Sequence, residues 1–312
     1  MVAFLKRPSK RESGWLAIAL GARELRYVHG RANAGKTTIT RCGTQAFGDD
    51  KELQRVARDL GFERYQRLTV LPPADYQLLL VDAPNVPASE LKNAARWRVK
   101  DMLDYPVEQA TVDIFDVPPD PAGASQAHTM YAAAAKNDVI RSCMERFTRA
   151  RMPLSVIDIE ETAQRNIAAQ LESSDRGLAL IYPADDRVLL TVNFRGELYL
   201  ARRIDVALHE LEAVAQGTVD DPKNRVLLEV QRSFDHLERQ FPSISVAKVL
   251  IAPTPADTDL HIYLGANLDV PVEELQLEDV LDIAPDIDFT GGLGWQFFHL
   301  LGATLREPAK AS

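Results

Sequence analysis

Apolar residues near the start of the chain group into short runs separated by polar and turn residues. They predict a buried strand over Trp15–Leu20 and a β-hairpin whose arms are residues 25–29 and 37–44. Residues 49–60 then change to the spacing of an amphipathic helix. The chain therefore opens with a three-stranded meander followed by a helix.

A second pattern begins at Tyr76 and has the element order βαββαβ. The predicted elements are a strand at 77–81, a helix at 88–103, strands at 110–117 and 128–135, a helix at 137–150 and a strand at 154–159. Prolines and a glycine in residues 118–123 mark the central hairpin loop. This order is typical of a ferredoxin-like unit, in which two helices cover one face of a small antiparallel sheet.

The second half of the chain repeats the opening order. Three strands are predicted at 178–182, 187–193 and 198–204, followed by a helix at 224–240, a buried strand at 246–251 and an amphipathic helix at 293–305. Two halves that each begin with a three-stranded meander indicate an internal duplication. We predict a first half at 1–172 with an insert at about 76–160, and a second half at 173–312.

Residues 30–37 match the phosphate-loop pattern G-x-x-x-x-G-K-[ST]. In a working phosphate loop a helix begins at the Lys and Thr, and its N-terminus supports the phosphates. Here the residues after Lys36 include four threonines, an isoleucine and a glycine, which favour extended backbone. We therefore interpret the match as part of the hairpin, and a helix over 37–46 would overturn that interpretation.

Composition limits the classes of function. The chain has 312 residues, of which 46% are hydrophobic and 26% charged, and a net charge of −9 that argues against nucleic acid as the main partner. Its two cysteines and six scattered histidines support neither a disulfide scaffold nor a zinc site. No apolar run is long enough to cross a bilayer, so we expect a cytoplasmic protein.

One local feature departs from the acidic average. Four basic residues and two apolar ones lie close to the N-terminus and are candidates for contact with an anionic membrane surface: Phe4, Lys6, Arg7, Lys10 and Arg11, together with Leu5. At about 1 kcal/mol per basic residue near such lipids, they would give weak and reversible adhesion. A solvated terminus is the alternative reading.

Several stretches, taken in order, resemble the PilM/MshI-like family of pilus proteins, whose fold is the actin-like ATPase (ribonuclease H-like) fold also found in FtsA and the GspL cytoplasmic domain. They are WLAIALG (15–21), AARW (94–97) with YP (105–106), VIDIE (156–160), RSFD (232–235) and LLGATLR (300–306). The similarity runs from about residue 14 to 307. It implies an α/β protein of two duplicated actin-like halves with the ferredoxin-like unit inserted in the first.

The resemblance also implies a nucleotide cleft between the halves, but the cleft motifs of such proteins are degenerate here. The first phosphate turn has Ala19 and Gly21 where the family has Asp-x-Gly, and the second has Pro183 and Ala184. At the adenosine turn a Gly-Gly pair is replaced by Ala252 and Pro253. We predict a pseudo-ATPase without a cofactor, in which ATP and Mg²⁺ would bind only if the altered cleft still accepts them; the alternative is an active actin-like ATPase.

The remaining implication is binding. PilM-like proteins hold the cytoplasmic tail of a bitopic inner-membrane protein, PilN, which suggests a scaffold of an MSHA-type pilus or type II secretion-like platform, peripheral to the inner membrane. Leu91, Trp97 and Arg98 on the predicted helix 88–103 are the candidate partner-binding residues. The assembly ATPase and a second copy of the chain are further candidate partners, and a filament former of the FtsA type is a competing class.

Overall fold

The computed structural model describes residues 12–33, 35–123, 128–173, 175–212, 221–289 and 292–306. Of the helices in these ranges, none combines the length and the apolar character that a membrane span requires. The basic N-terminal candidates Phe4, Lys6, Arg7, Lys10 and Arg11 lie outside the described residues.

The first half begins with the predicted meander. Its elements are β1 (Trp15–Leu20), β2 (Glu24–Ala32), β3 (Thr37–Ala46), α1 (Asp50–Asp59) and β4 (Gln66–Val70). β2 is antiparallel to both β1 and β3, whereas β4 is parallel to β1. The hairpin prediction is confirmed, because the backbone after Lys36 is a ten-residue strand and not a helix.

The chain then leaves this sheet and forms the inserted unit. Its elements are β5 (Tyr76–Asp82), α2 (Ala88–Arg98), β6 (Ala110–Val117), β7 (Thr129–Lys136) and α3 (Asn137–Arg149). The predicted helix 88–103 is shorter than expected. After Arg98 the chain forms a 3-10 turn over Lys100–Met102 and is extended at Leu103, which turns Met102 away from the core.

The predicted ferredoxin-like pairing is wrong in two respects. β8 (Val156–Asp158) does not join the inserted sheet but lies parallel to β4 in the first sheet. The described part of the insert therefore has three strands, in the order β5-β7-β6. The two helices also cover opposite faces. Ala95 of α2 packs with Met130 and Ala132 of β7, whereas α3 packs on the other face. That other face is apolar because it also meets the second half of the protein.

The rest of the chain builds the second half. It comprises α4 (Glu160–Ala168), β9 (Gly177–Pro183), β10 (Val188–Phe194), β11 (Glu197–Ile204), α5 (Leu208–Glu212), α6 (Pro222–Gln240), β12 (Val246–Ile251), α7 (Leu260–Asn267), β13 (Val272–Glu274), α8 (Leu277–Val280), β14 (Leu281–Ile283) and α9 (Leu293–Thr304). The five strands β9 to β13 form one sheet in the order β11-β10-β9-β12-β13. The predicted meander, long helix and buried strand are all present.

Both halves share one strand order, as the duplication predicts. The first sheet contains the order β3-β2-β1-β4-β8, and the second sheet has the order β11-β10-β9-β12-β13. If the strands are numbered within their own sheet along the chain, both sheets contain the order 3-2-1-4-5. In both sheets the first three strands are antiparallel and the fourth is parallel to the first. The halves therefore repeat the same αβ unit.

The two halves are interlocked by elements near the end of the chain. β14 adds to the outer side of β3 as a parallel strand, and α9 packs against β1, β2, β4 and α4. Phe297, Phe298 and Leu301 of α9 are buried in the core that the two halves share. This crossover positions α9 along the crevice between the two sheets.

Candidate functional site

The phosphate-loop-like segment holds the crossing elements in place. The Lys36 Nζ atom donates to the carbonyl oxygen of Glu278 at 2.5 Å and lies 3.8 Å from a carboxylate oxygen of Asp282 on β14. A Cβ on Gly30 would lie 2.5 Å from the Thr304 hydroxyl oxygen on α9, so only glycine allows this close approach. The Lys and Gly of the motif thus have packing roles in this fold.

A crevice of about 580 Å³ lies between the turn after β1, the start of α4, the turn after β9 and helix α9. Its lining includes the predicted positions Ala19 and Ala184 and brings them together with side chains that sequence reasoning did not single out. Those side chains are Glu160, Tyr182, Arg187, Trp295 and His299.

The backbone of the two predicted phosphate turns is hydrogen-bonded internally. The Gly21 N–H donates to the Glu24 carbonyl at 2.8 Å, and the Ala184 N–H donates to the Arg187 carbonyl at 2.7 Å. The Arg146 guanidinium of α3 donates to the carbonyl oxygens of Leu20, at 2.8 Å, and Gly21. These turns direct their donors toward the protein itself.

The predicted adenosine turn lies elsewhere. Ala252 and Pro253 line a separate cavity of about 650 Å³, which shares no lining residue with the crevice. The Ala252 N–H continues the backbone ladder by donating to the Ile181 carbonyl at 2.8 Å. The structure therefore brings the two phosphate turns together at one crevice and places the adenosine turn in a second cavity.

An ion pair and stacked rings fill the floor of the crevice. Arg187 binds the Glu160 carboxylate, and both side chains are largely buried. The Tyr182 ring stacks on Phe298 with centroids 5.1 Å apart and donates its hydroxyl to the Trp295 carbonyl at 3.2 Å. The Trp295 indole N–H in turn donates to the Pro183 carbonyl at 2.6 Å.

Burial sets the protonation of these groups. Burial raises the pKa of Glu160, and the neighbouring Arg187 guanidinium opposes that effect. Burial also raises the pKa of Tyr182, which keeps its hydroxyl neutral. It lowers the pKa of His299 to about 3, so this imidazole is uncharged at neutral pH. The floor of the crevice thus combines the Glu160–Arg187 ion pair with the neutral side chains of Tyr182 and His299, and the charged residues Arg26, Asp185 and Asp186 also line the crevice.

A second concave surface, which we call the β5 groove, lies between the inserted sheet and helix α6 and has a volume of about 590 Å³. It is lined by Leu80, Val81, Asp82, Arg98, Met102, Thr129, His236, Arg239 and Gln240. Of the predicted partner-binding residues, Arg98 lines the groove and Trp97, 60% exposed, precedes it on α2. Leu91 is partly buried and packs against the core of the inserted sheet.

The β5 groove combines exposed apolar side chains with positive charge. Leu80 and Met102 are both exposed large apolar residues. Arg98 makes no hydrogen bond or ion pair with any described residue, and His236 and Arg239 lie on the facing helix. Asp82 is the only acidic residue among the described residues that line it.

Comparison with solved structures identifies the fold. A chain of the PilM-PilN type IV pilus biogenesis complex matches at 18% identity with a TM-score of 0.68, covering 96% of this chain and 100% of that one. The cytoplasmic domain of EpsL, an inner-membrane component of the Vibrio cholerae type II secretion system, matches at 12% identity, 95% and 96% coverage and a TM-score of 0.50. A Bacteroides thetaiotaomicron protein of unknown function, described as having an actin-like ATPase fold, matches at 11% identity, 88% and 94% coverage and a TM-score of 0.49. This chain has the actin-like ATPase fold.

The predicted resemblance to PilM-like proteins is therefore confirmed at the level of the fold. No family model matches the chain, and no curated protein matches it either.

The residues at the crevice do not fit the requirements of Mg²⁺ and a nucleotide in an actin-like protein. Ala19 offers no oxygen ligand, Pro183 has no N–H, and the N–H groups of Gly21 and Ala184 already have acceptors. Among the described residues, no group of three or more His, Cys, Asp or Glu side chains is arranged to hold a metal ion. Phosphoryl chemistry depends on such ligands and donors.

Sequence reasoning missed the side chains that form the floor of the crevice. Glu160 and Arg187 are 27 residues apart, and although Glu160 ends the stretch VIDIE, no motif indicates that the two side chains pair. One signal was available, because Glu160 and Glu161 directly follow the predicted strand 154–159, and charged side chains next to a buried strand need partners. Asp185 and Asp186, in the turn between β9 and β10, are exposed, and Asp186 binds Arg187 at 2.5 Å.

Proposed function

We propose that this protein is a non-catalytic adaptor in the inner-membrane platform of a type IV pilus, of the MSHA type, or of a type II secretion-like machine. In this proposal it lies at the cytoplasmic face and reaches the membrane through a PilN-like partner. The match to a chain of the PilM-PilN complex over nearly the full length of both chains supports the assembly context. The match to the EpsL cytoplasmic domain supports the same context from a second machine.

The observation that carries the non-catalytic proposal is the Glu160–Arg187 pair on the floor of the crevice. The Arg187 guanidinium is already compensated by Glu160 and by Asp186, so it offers little net attraction to a triphosphate in the crevice. Drawing it from the Glu160 carboxylate to a phosphate would break a buried pair from one side, which typically costs about 3–5 kcal/mol. With no carboxylate at position 19 to hold Mg²⁺, little binding energy offsets that cost.

Calorimetric titration with Mg-ATP and Mg-ADP tests this proposal directly. We expect no binding at millimolar nucleotide and no phosphate release above the buffer blank. A micromolar dissociation constant would refute it, provided that the Arg187→Glu variant, which repels phosphate at the crevice, abolishes the binding. That control variant separates the crevice from nonspecific binding elsewhere on the protein.

For partner binding we propose the β5 groove and the adjoining end of α2. Trp97, Arg98 and Met102 there expose two large apolar side chains beside a cation without a partner among the described residues. Tryptophan and arginine are the residue types most enriched in binding hot spots. The proposed ligand is the cytoplasmic tail of a PilN-like membrane protein.

A matched set of variants tests the location. The probe is a fluorescein-labelled peptide with the sequence of the tail of the PilN-like protein from the same genome, and binding is followed by fluorescence anisotropy. We expect Trp97→Ala and Arg98→Glu each to weaken binding at least about fivefold, the loss of more than 1 kcal/mol that defines an interface anchor. Met144→Ala and Arg141→Glu, equivalent changes on the exposed face of α3, should leave affinity unchanged.

Two outcomes contradict the proposal at different levels. If the α3 variants weaken binding and the α2 variants do not, the docking surface is on the other side of the insert. If the unmodified protein does not bind the peptide at all, the assignment of a PilN-like partner fails.

A further inference from the structure

Strand β5 is an edge of the inserted sheet. Among the described strands it pairs only with β7, in a register that sets Leu80 opposite Tyr131 and Asp82 opposite Thr129. Just beyond the strand, the Ala83 N–H donates to the His128 carbonyl at 2.8 Å. That bond fixes which backbone groups of β5 face β7.

In an antiparallel pair, hydrogen-bonded and non-hydrogen-bonded residue pairs alternate. Ala83 and His128 form a hydrogen-bonded pair, so Val81 and Leu79 also bond to β7. Leu80 and Asp82 belong to the intervening pairs, and their N–H and C=O groups point away from the sheet. Neither residue makes a backbone hydrogen bond on that side to any described residue.

The free edge opens into the β5 groove. On one side of the edge lie Arg98 and Met102 at the end of α2, and on the other lie His236 and Arg239 near the end of α6. The edge itself contributes Leu80, which is 37% exposed. An extended chain placed here would lie beside the unpaired backbone groups of β5. Met102 and Arg98 would lie near one of its faces, and His236 and Arg239 near the other.

We propose that the partner segment binds by adding a strand to the outer side of β5, and that the segment is an extended one carrying apolar and acidic residues. The proposal rests on the proposed function and specifies how the partner binds. The main-chain groups of Leu80 and Asp82 provide the affinity that is independent of sequence, and the flanking side chains select the ligand. Two arginines, Arg98 and Arg239, against one carboxylate, Asp82, give the groove a positive local charge that favours an acidic ligand, although the whole chain has a net charge of −9.

Amide hydrogen exchange, measured by NMR with and without the labelled tail peptide, tests strand addition residue by residue. We expect the exchange of the Leu80 and Asp82 amides to slow at least about tenfold in the complex, because a new hydrogen bond protects each. The amides of Leu79 and Val81 are already bonded to β7 and should change much less. Binding of the peptide without slower exchange at Leu80 and Asp82 would overturn strand addition while leaving the adaptor function intact.

Two variants at one position separate the backbone from the side chain. Leu80→Ala removes the apolar contact but keeps the N–H, whereas Leu80→Pro also removes the N–H at an edge position where proline is tolerated. We expect Leu80→Pro to bind the peptide at least about fivefold more weakly than Leu80→Ala. Circular dichroism checks the fold of both variants. Equal affinities of two folded variants would contradict the proposal.

N-methylation of the peptide provides the same test from the partner's side and needs no change in the protein. An added strand uses alternate N–H groups, so methylation should weaken binding at every second position. A uniform or absent effect would overturn strand addition. If instead the Leu80 and Asp82 amides of the peptide-free protein gain protection as protein concentration rises, the edge is covered by a second copy of the chain and the proposal is wrong.

Discussion

The buried carboxylate of Glu161 offers the sharpest test of how the inserted unit is fixed to the body of the protein. Glu161, on α4, is 1% exposed. It accepts hydrogen bonds from Arg203 of β11 at 2.9 and 3.2 Å and from the Tyr76 hydroxyl of β5 at 2.5 Å. One carboxylate therefore joins α4 to β5 of the insert and to β11 of the second sheet.

Replacing Arg203 by methionine would leave this carboxylate buried without its counter-ion. The expected loss is about 3–5 kcal/mol, the usual cost of breaking a buried ion pair from one side. In the double variant Glu161→Met/Arg203→Met no charge is stranded, so part of the loss should be recovered. The remaining loss, about 1–3 kcal/mol, reflects the buried Tyr76 hydroxyl, which no longer has its acceptor. Arg141→Met, which breaks an exposed pair with Asp138, should cost less than about 1 kcal/mol.

Urea denaturation followed by tryptophan fluorescence and by circular dichroism gives the free energies of unfolding, and agreement of the two signals checks that the transition is two-state. The single variant should have a lower urea midpoint than either the double variant or Arg141→Met. If Arg203→Met costs less than about 1 kcal/mol, or if the double variant is no more stable than the single one, the ion pair does not hold the insert in place.

Three further predictions concern the crevice and the crossing helix. The free energy of unfolding should fall by up to about 1.4 kcal/mol per pH unit as the pH drops below 6.5, because His299 binds a proton there in the unfolded state but, with a pKa of about 3, not in the folded state. His299→Gln should flatten this pH dependence, whereas His128→Gln, at an exposed site, should not. Gly30→Ala should lower the thermal midpoint because its Cβ meets α9, whereas Gly265→Ala, with 3.7 Å of room inside a helix, should raise it slightly. Ala19→Asp alone should not create Mg-ATP binding in a calorimetric titration, and a micromolar dissociation constant would refute this expectation.

The long elements could be predicted from the sequence because apolar residues recur along each of them at one regular spacing. The meanders, the hairpin at residues 30–37 and helix α6 all follow this rule. Helix α4 was missed for the opposite reason, since it buries polar side chains. Gln164 donates to the Leu180 carbonyl at 2.7 Å and Asn166 to the Gly302 carbonyl at 3.1 Å. Binary patterning treats such residues as exposed, so it fails where polar groups are buried and paired.

The pairing of short strands from distant segments could not be predicted from the sequence either. β8 and β14 have three residues each, and a pattern of three residues is too short to indicate the strand with which each one pairs. The substitutions at Ala19 and Pro183, from which we predict degenerate phosphate turns, can be seen in the sequence alone. The ion pair that fills the crevice could not, because Glu160 and Arg187 meet only after both halves have folded.

The coverage of sheet edges gives an independent reason to look for a partner at β5. The outer side of β3 is covered by β14, and on β11 the Ala201 N–H, which points away from its own sheet, donates to the Tyr131 hydroxyl of the insert at 3.1 Å. The Leu80 and Asp82 amides on β5 have no such acceptor among the described residues. An exposed edge with an apolar residue at its centre invites aggregation unless something pairs with it. Such an edge is easier to explain in a protein that works within an assembly than in one that acts alone.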